Sequence, residues 1–541
     1  MTAADDEDFL WLGPNAAEAG AEIVGSKAAG LSRIARLGLP VPPAFALPTS
    51  LCAEVCADPD HAADLVARPL RAGLGRLESA MGGRLGDRRA PLLVSVRSGA
   101  KDSMPGMLAT VLDVGLEPDA VQGLIRRTGD PRLAWDSRRR FLETWAVVVG
   151  GASPAPFAEA LADMIRAEGV ADESELDSEA LERLAGRFRD LAAACGSLAP
   201  DVAEDQLAQA ALAVFRSWES PKAKEYRRLN RLDDRAGTAV AVQAMVFGNA
   251  GRRSGAGVAF TRDPATGVKG LYLDFLFDAQ GEDVVSGRRT PLGAEQLGAR
   301  LPDVLKALGD GAARLEAEFR DAQDIEFTVD DGRLWFLQTR SAKRTPRAAL
   351  RIAVDLVREG VINEATALAR VAGIDPDSAA ASRFAQPAPA AARAIPASPG
   401  VASGRAVFDS ARAKTLARSS PVILVRREPA TEDIEGFSAA AGILTAVGGR
   451  TAHAAVVARH MGRPCVVGCR ELVLDEDETG AAAALAGRAL REGDWISIDG
   501  ETGEISLGRR EIVSERPEAD LAEIARWRAA ATSAAAVSPQ L

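Results

Sequence analysis

GGRTAHAAVVARHMGRPCVVGC, residues 448–469, carries the sharpest local pattern in the chain. Two glycines precede Thr451, and an Ala/Val-rich helical run starts immediately after it. Threonine is a good N-cap because its hydroxyl satisfies an early backbone N–H. His453 then falls in the first helical turn, where free N–H groups and the positive end of the helix dipole attract an anion. That end disfavours imidazolium, so the ring stays neutral and nucleophilic. A phosphoryl group attached there gains the dipole's stabilisation. Taken alone, a histidine before an Ala-rich helix more often marks the start of a surface helix. His460 lies seven residues on, about two turns away and roughly on the same face, and reads as an exposed helix-end residue.

Working outward, VILVRR, AAGILTA, PCVVGC, WISIDG and GEISLG are strand-like runs, so residues 400–508 read as a compact α/β unit. Ahead of it stands SRFAQPAPAAARAIPASPG (382–400), a Pro/Ala stretch of 19 residues. Fully extended at ~3.1 Å per residue it spans about 60 Å, enough for a swinging domain. Residues 345–371 read as one long amphipathic helical stretch, and 509–541 as a polar, Ala-rich tail with one helix.

The N-terminal two thirds alternates in character. Residues 20–115 mix short strands with Gly/Pro turns, as in the buried-strand run PLLVSVRS (91–98). Residues 116–230 have helical spacing, as in SEALERLAGRFRDLAAAC, and read as a helical insertion. Residues 237–341 return to strands. In DIEFTVDDGRLWFLQTR (324–340) an Asp-Gly pair marks a hairpin turn. Asp324 and Glu326 are two apart and share a face, as do Gln338 and Arg340 on the returning strand. Two carboxylates, an amide and a guanidinium on one hairpin suit Mg²⁺ with a triphosphate. A solvated sheet face with cross-strand ion pairs reads the same way. GNAGRRSGAGVAFTRDPATG (248–267) is rich in glycine, and Gly255 and Gly257 allow close backbone approach to phosphates. Gly-rich hairpin loops share that composition. Lys27 beside a Gly turn and Arg97 closing a strand are further candidate phosphate ligands.

Composition bounds the function. The 541 residues suggest three or four domains, and 47% apolar with 26% charged residues is ordinary for a globular chain. A net charge of −11 with no basic block argues against nonspecific binding to nucleic acid or to an anionic membrane. A local basic cleft for phosphate stays open. No run reaches the ~18 uncharged apolar residues of a spanning helix, and the start, MTAADDE, is acidic where a secretion signal is basic. Five cysteines, odd in number and without CxxC spacing, argue for the cytoplasm and against a disulfide framework or a zinc set.

Taken together, VGSKAAGL…LGLPVPP, PLLVSVRSGAKDSMPGM, WDSRRRF, VFRSWESPKAKEYRRLN, GTAVAVQAMVFGNAGRRSGAGVAFTRDPATG, AQGEDVVSGRRTP, QDIEFTVDDGRLWFLQTR, SPGVASGRAVF and GGRTAHAAVVARHMG resemble the pyruvate, phosphate dikinase family, in order, from Glu22 to about Gly508. SMPGM and AQGEDVVSGRRTP favour the phosphate-using dikinases over their water-using relative, phosphoenolpyruvate synthase. The resemblance implies an α/β and α+β multidomain chain. Its parts are an ATP-grasp N-terminal subdomain (1–115), a helical insertion (116–230), the second ATP-grasp subdomain (231–344), a helix and Pro/Ala linker (345–394), a swivelling phosphohistidine domain (395–510) and a tail (511–541). It also implies that Lys27, Arg97, Arg140, Asp324, Glu326, Gln338 and Arg340 line an ATP/Mg²⁺ site, with Gly255, Gly257 and Glu282 near the nucleotide and Asp324, Glu326 and Gln338 toward the metal. His453 is then the phosphocarrier and Thr451 the regulatory position. Where the family usually has Met-Thr-Ser-His, this chain has Arg450-Thr451-Ala452-His453.

The implied reaction uses ATP and inorganic phosphate to phosphorylate His453, releasing AMP and pyrophosphate. In the family a (β/α)₈ barrel binds pyruvate and phosphoenolpyruvate, and such a barrel needs at least ~200 residues. Only 33 residues follow Gly508. The expectation is therefore an ATP/phosphate half-reaction here, with the phosphoryl group passed to pyruvate on a separate chain or to another acceptor. The competing expectation is a regulatory homologue that binds nucleotide without turnover.

Overall fold

The computed structural model describes residues 9–13, 16, 18–102, 104, 106–286, 289–427, 434–450, 453–475 and 482–537. They divide into two units, Met1–Gly251 with Trp335–Thr339, and Arg252–Leu334 with Arg340–Leu541.

In the first unit an antiparallel five-stranded sheet runs in the order Leu10–Trp11, Ala44–Leu47, Ala239–Ala244, Val94–Gly99, Thr110–Val114. The helix Ala21–Arg36 breaks at Gly25, whose φ is +76°. A Cβ there would meet the Gly99 carbonyl oxygen at 2.0 Å, so only glycine fits. Residues 116–230 form six helices of three or more turns, from Pro118–Thr128 to Pro221–Asn230. Asp130, Asp177 and Ser220 cap three of them through side-chain bonds to Leu133, Ala180 and Ala223 N–H. These helices share one apolar core with the sheet: Phe141, Trp145, Phe188 and Phe215 pack in the same cluster as Val94, Val96, Val240 and Val242.

The second unit begins with a four-stranded sheet in the order Arg333–Ser341, Gln323–Asp330, Gly255–Arg262, Lys269–Phe277. The expected hairpin is present. Asp331 (φ +44°) and Gly332 (φ +77°) occupy its turn, the pair of left-handed residues a two-residue turn requires. Residues 345–371 are two helices, Pro346–Arg358 and Glu364–Arg370, rather than the single expected one. Gly360 leaves the helix with φ +72°, and Asn363 caps the next helix through Thr366 N–H. Arg262, fully buried, ties the sheet to the helix Pro302–Phe319 by pairing with Glu316 at 2.6 Å and to the end of the helix Pro346–Arg358 by pairing with Glu359 at 2.8 Å.

Beside a separate three-stranded sheet at Leu472–Asp475, Ala482–Leu485 and Arg488–Leu490, the segment expected to carry the phosphohistidine holds an eight-stranded sheet. Its middle strands, Val401–Val407, Val422–Arg426, Gly442–Thr445 and Cys465–Val467, are parallel. The helix His453–His460 is the crossover between the last two. A crossover helix in a parallel sheet starts at the carboxyl ends of the strands, the usual place for a ligand.

The Pro/Ala stretch 382–400 is largely not a free tether. Ala381–Phe384 pairs with Ile512–Glu515, Ala392–Arg393 with Glu504 and Ile505, and Ile395–Ser398 with Cys465–Val467. The tail helix Glu518–Val537 returns to the paired helices and buries Ile524 and Trp527 among Ile352, Leu356, Ile362 and Val371. Trp527→Ala removes the largest buried side chain of this contact and should cost about 3–5 kcal/mol of local stability. Hydrogen exchange should then accelerate across residues 518–532 and 346–371, with the 442–467 strands unchanged. Unchanged protection of the tail would show that Trp527 does not hold it.

Candidate active site

The register of the second unit's sheet decides which side chains meet. Glu326 stands opposite Val258, and Val258 opposite Asp274; Asp324 stands opposite Phe260, and Phe260 opposite Tyr272. Directly opposed residues in antiparallel strands share a face. Asp274, Asp324 and Glu326 therefore occupy one face, with Tyr272 and Phe260 beside them. Asp274 is the feature that sequence reading missed. Its signal was a lone carboxylate inside the apolar strand LYLDFLF.

Asp324 is buried, and its Oδ2 accepts from Arg340 Nε at 2.7 Å. Arg340 also reaches Glu326 at 4.0 Å. Burial pushes the Asp324 carboxyl above its ordinary value, while Arg340 and the more distant Arg459 pull it down without offsetting the burial. Its Oδ1 is buried with no hydrogen-bond partner. A buried, unpaired carboxylate oxygen two residues from a second carboxylate fits a divalent cation. Among the described residues no three His, Cys, Asp or Glu side chains form a ready-made cage.

The loop before His453 packs on this carboxylate face. A Cβ on Gly449 would lie 3.0 Å from Asp274 Oδ2 and 2.1 Å from Pro291 Cγ, so glycine lets the backbone approach. Arg450 lies over the Tyr272 ring at 4.4 Å, and Arg459 is 6.0 Å from the Phe260 ring. Arg459 is buried; its Nη1 donates to Ala397 O at 3.0 Å and its Nη2 to Arg450 O at 2.5 Å. It thereby clamps the loop onto the helix that opens at His453. From the sequence Arg450 stands out only as a departure from the family pattern and Arg459 not at all, because only tertiary packing shows where the two cations go. Thr451 and its expected capping role lie outside the described residues, as does the side chain of Glu282.

Other expected residues fall elsewhere. Gly255 and Gly257 lie inside a buried strand. The Phe275 and Phe327 rings stack at 5.7 Å, and a Cβ on Gly257 would meet Phe327 at 2.5 Å, one on Gly255 Phe275 at 2.1 Å. Their missing side chains make room for rings. In the first unit, the Gly25–Gly99 approach brings the helix of Lys27 to the end of the strand of Arg97, with Ser26 N–H donating to Ala100 O at 3.0 Å. Arg140 is held by Asp136 at 2.9 Å, and Asp136 also accepts from the buried Arg139. Burial would raise the Asp136 carboxyl, but the two arginines outweigh it and hold it low. Gln338 lies on the strand Arg333–Ser341.

A sheet face of carboxylates with a histidine-led helix packed against it defines a nucleotide-dependent phosphotransfer architecture. The family pattern for the pyruvate phosphate dikinase AMP/ATP-binding domain matches residues 65–295 and 294–360, and that for the PEP-utilising enzyme mobile domain matches 419–503. The chain belongs to the pyruvate phosphate dikinase family. It is 44% identical over 515 residues to a pyruvate, phosphate dikinase of Clostridium symbiosum, covering 93% of this chain and 58% of that protein. It is 43% identical over 516 residues to pyruvate, phosphate dikinase 2 of Zea mays, covering 94% and 58%. A chloroplastic pyruvate, phosphate dikinase of Mesembryanthemum crystallinum is 42% identical over 514 residues, with 93% and 54% covered. The chain thus spans a little over half the length of these relatives.

Because burial raises Asp324, its ionised form costs folding free energy at neutral pH, and the cost shrinks as pH falls through the raised value and is gone below the ordinary carboxylate value. Asp324→Asn keeps the shape and an acceptor for Arg340. Its urea midpoint should exceed the parent's at pH 7.5, and the gap should close toward pH 4. A pH-independent gap, or a less stable Asn variant at pH 7.5, would contradict the assignment.

Proposed function

We propose that this chain carries out the ATP/phosphate half-reaction of a dikinase. The single observation that carries the reading is the packing of the 448–450 loop, three residues ahead of His453, on the sheet face that holds Asp274, Asp324 and Glu326. In this reading a ring nitrogen of His453 attacks the β-phosphorus of ATP. The N–P bond forms as the bond to the α,β-bridging oxygen breaks, and AMP leaves. Inorganic phosphate then attacks the terminal phosphorus of the pyrophosphoryl-histidine, pyrophosphate departs, and one phosphoryl group stays on His453.

Asp324 and Glu326, with Gln338, are the proposed holders of Mg²⁺. The ion supplies charge neutralisation on the transferred phosphates when bound. Arg340 orients the Asp324 carboxylate and adds positive charge beside it. Lys27, Arg97 and Arg140 are the proposed phosphate ligands of the first unit. Arg140 does this while already ion-paired to Asp136. The helix starting at His453 favours the neutral ring before attack and the anionic phosphoryl group after it. The group then passes to pyruvate on a separate chain or to another acceptor.

A cytoplasmic setting belongs to the same proposal and rests on five unpaired cysteines. No helix among the described residues is long and apolar enough to cross a membrane.

The test is incubation with Mg²⁺ and ATP labelled at the β-phosphorus, with and without inorganic phosphate. Acid-labile label on His453, with phosphate-dependent release of pyrophosphate alongside AMP, is the expected result. His453→Ala should abolish labelling. Asp324→Asn should slow it by about 10²–10³-fold, the size expected when preorganised charge at a phosphoryl group is lost. Nucleotide binding without label under either condition would overturn the reading in favour of a regulatory homologue.

A further inference from the structure

Tyr272, on the carboxylate face, touches the segment that carries His453 in two separate places. Its hydroxyl donates to Pro396 O at 3.1 Å, in the strand Ile395–Ser398. Its ring lies 4.4 Å beneath the Arg450 guanidinium, in the loop that leads to His453. Arg450 Nε points to the same Pro396 carbonyl at 3.4 Å. Arg459 closes the circuit by holding Arg450 O and Ala397 O. Burial pushes the Tyr272 hydroxyl far above its ordinary range, with Arg450 pulling the other way, so it remains a donor at any working pH.

These contacts differ in kind from those that build the second unit. The sheet is joined to its helices by the fully buried Arg262 ion pairs. Beside the close approach of Gly449 to Asp274, the segment that carries His453 meets the sheet here through the Tyr272 ring and hydroxyl and the Arg450 guanidinium, on two residues that keep part of their surface exposed. Such contacts form and break without unfolding either partner. Arg450 is also the position at which this chain departs from the methionine that its family resemblance implies, and methionine carries no charge to place over the ring.

We propose that Tyr272 and Arg450 form a docking latch that holds the 448–450 loop and the strand Ile395–Ser398 on the carboxylate face, positioning His453 for its step with the nucleotide. The latch rests on the half-reaction proposed above for its purpose, but not for its existence. Both residues are positioning residues, because each acts by placing the backbone that carries His453.

Spin labels at Ala307→Cys, on the exposed side of the helix Pro302–Phe319, and at Arg418→Cys, in the phosphohistidine segment, measure docking directly in the full chain. A Cys195→Ser background removes the exposed native thiol. The parent should show one dominant distance. Tyr272→Leu and Arg450→Ala should each shift the docked-to-undocked ratio by about tenfold, the size of a partly desolvated cation–π contact with a hydrogen bond. Tyr272→Phe keeps the ring and loses only the hydroxyl bond, so it should shift the ratio by about three- to fivefold. This variant also reads the latch should the leucine variant fold poorly.

In single-turnover labelling the rate at saturating ATP should fall in parallel with docking, while nucleotide affinity stays constant. A purely structural lesion would move both. An unchanged distance distribution in Arg450→Ala and Tyr272→Phe would overturn the latch. The distance readout needs no turnover, so a chain that never labels His453 defeats the half-reaction and leaves the latch to be judged separately.

Discussion

The register of the strand Gly255–Arg262 against its two neighbours is the constraint on which the site depends. A shift of one residue would send every side chain of that strand to the opposite face. Gly257 fixes the register from one side, because only a residue without a Cβ admits the stacked Phe275 and Phe327 rings that cross over it. With those rings committed to the apolar face, Asp274, Asp324 and Glu326 must emerge on the other. The glycines thus serve the chemistry at one remove. By admitting the rings, they decide where the carboxylates point.

Two kinds of buried charge follow from this arrangement. Arg262 pairs with Glu316 and Glu359, although its Nη1 has no hydrogen bond and only the distant Asp355 carboxylate, at 3.9 Å, beside it. Asp324 is met by Arg340 on one oxygen only, and its other oxygen is left without a hydrogen bond. A fold optimised for stability alone would satisfy both oxygens or replace the carboxylate with an apolar residue. Each of these two buried charges on neighbouring strands keeps one polar atom without a hydrogen bond, but Arg262 has three carboxylates around it, whereas Asp324 is ion-paired to Arg340.

What could be read from the sequence was what short-range chemistry controls. The Asp331–Gly332 turn needs two left-handed residues in a row, and few dipeptides supply them cheaply. The face shared by Asp324 and Glu326 follows from the two-residue period of a strand. The helix opening at His453 follows from the Gly-Gly-containing approach and the Ala-rich run behind it. Illegible features depend on partners far along the chain. Residues 382–400 have a tether's composition, yet their strands pair with residues 465–467, 504–505 and 512–515, which no local pattern announces. Arg450 and Arg459 read as two cations among many until Tyr272, Phe260 and Arg450 O give them places.

The connections of the phosphohistidine segment divide by strength. Its entry strand Ala381–Phe384 and exit strand Ile512–Glu515 pair with each other, so both chain crossings run through a single antiparallel ribbon. Beyond the ribbon, Ile524 and Trp527 bury their side chains on the preceding helices, contacts whose loss costs several kcal/mol each, on the order of 2–5. On the carboxylate face the same segment is held by a cation over a ring and by hydrogen bonds to backbone carbonyls, each about 1 kcal/mol net. Strong apolar burial at the root and weak polar contact at the face are what the proposed carrier role needs: an attachment that lasts and a contact that can be released.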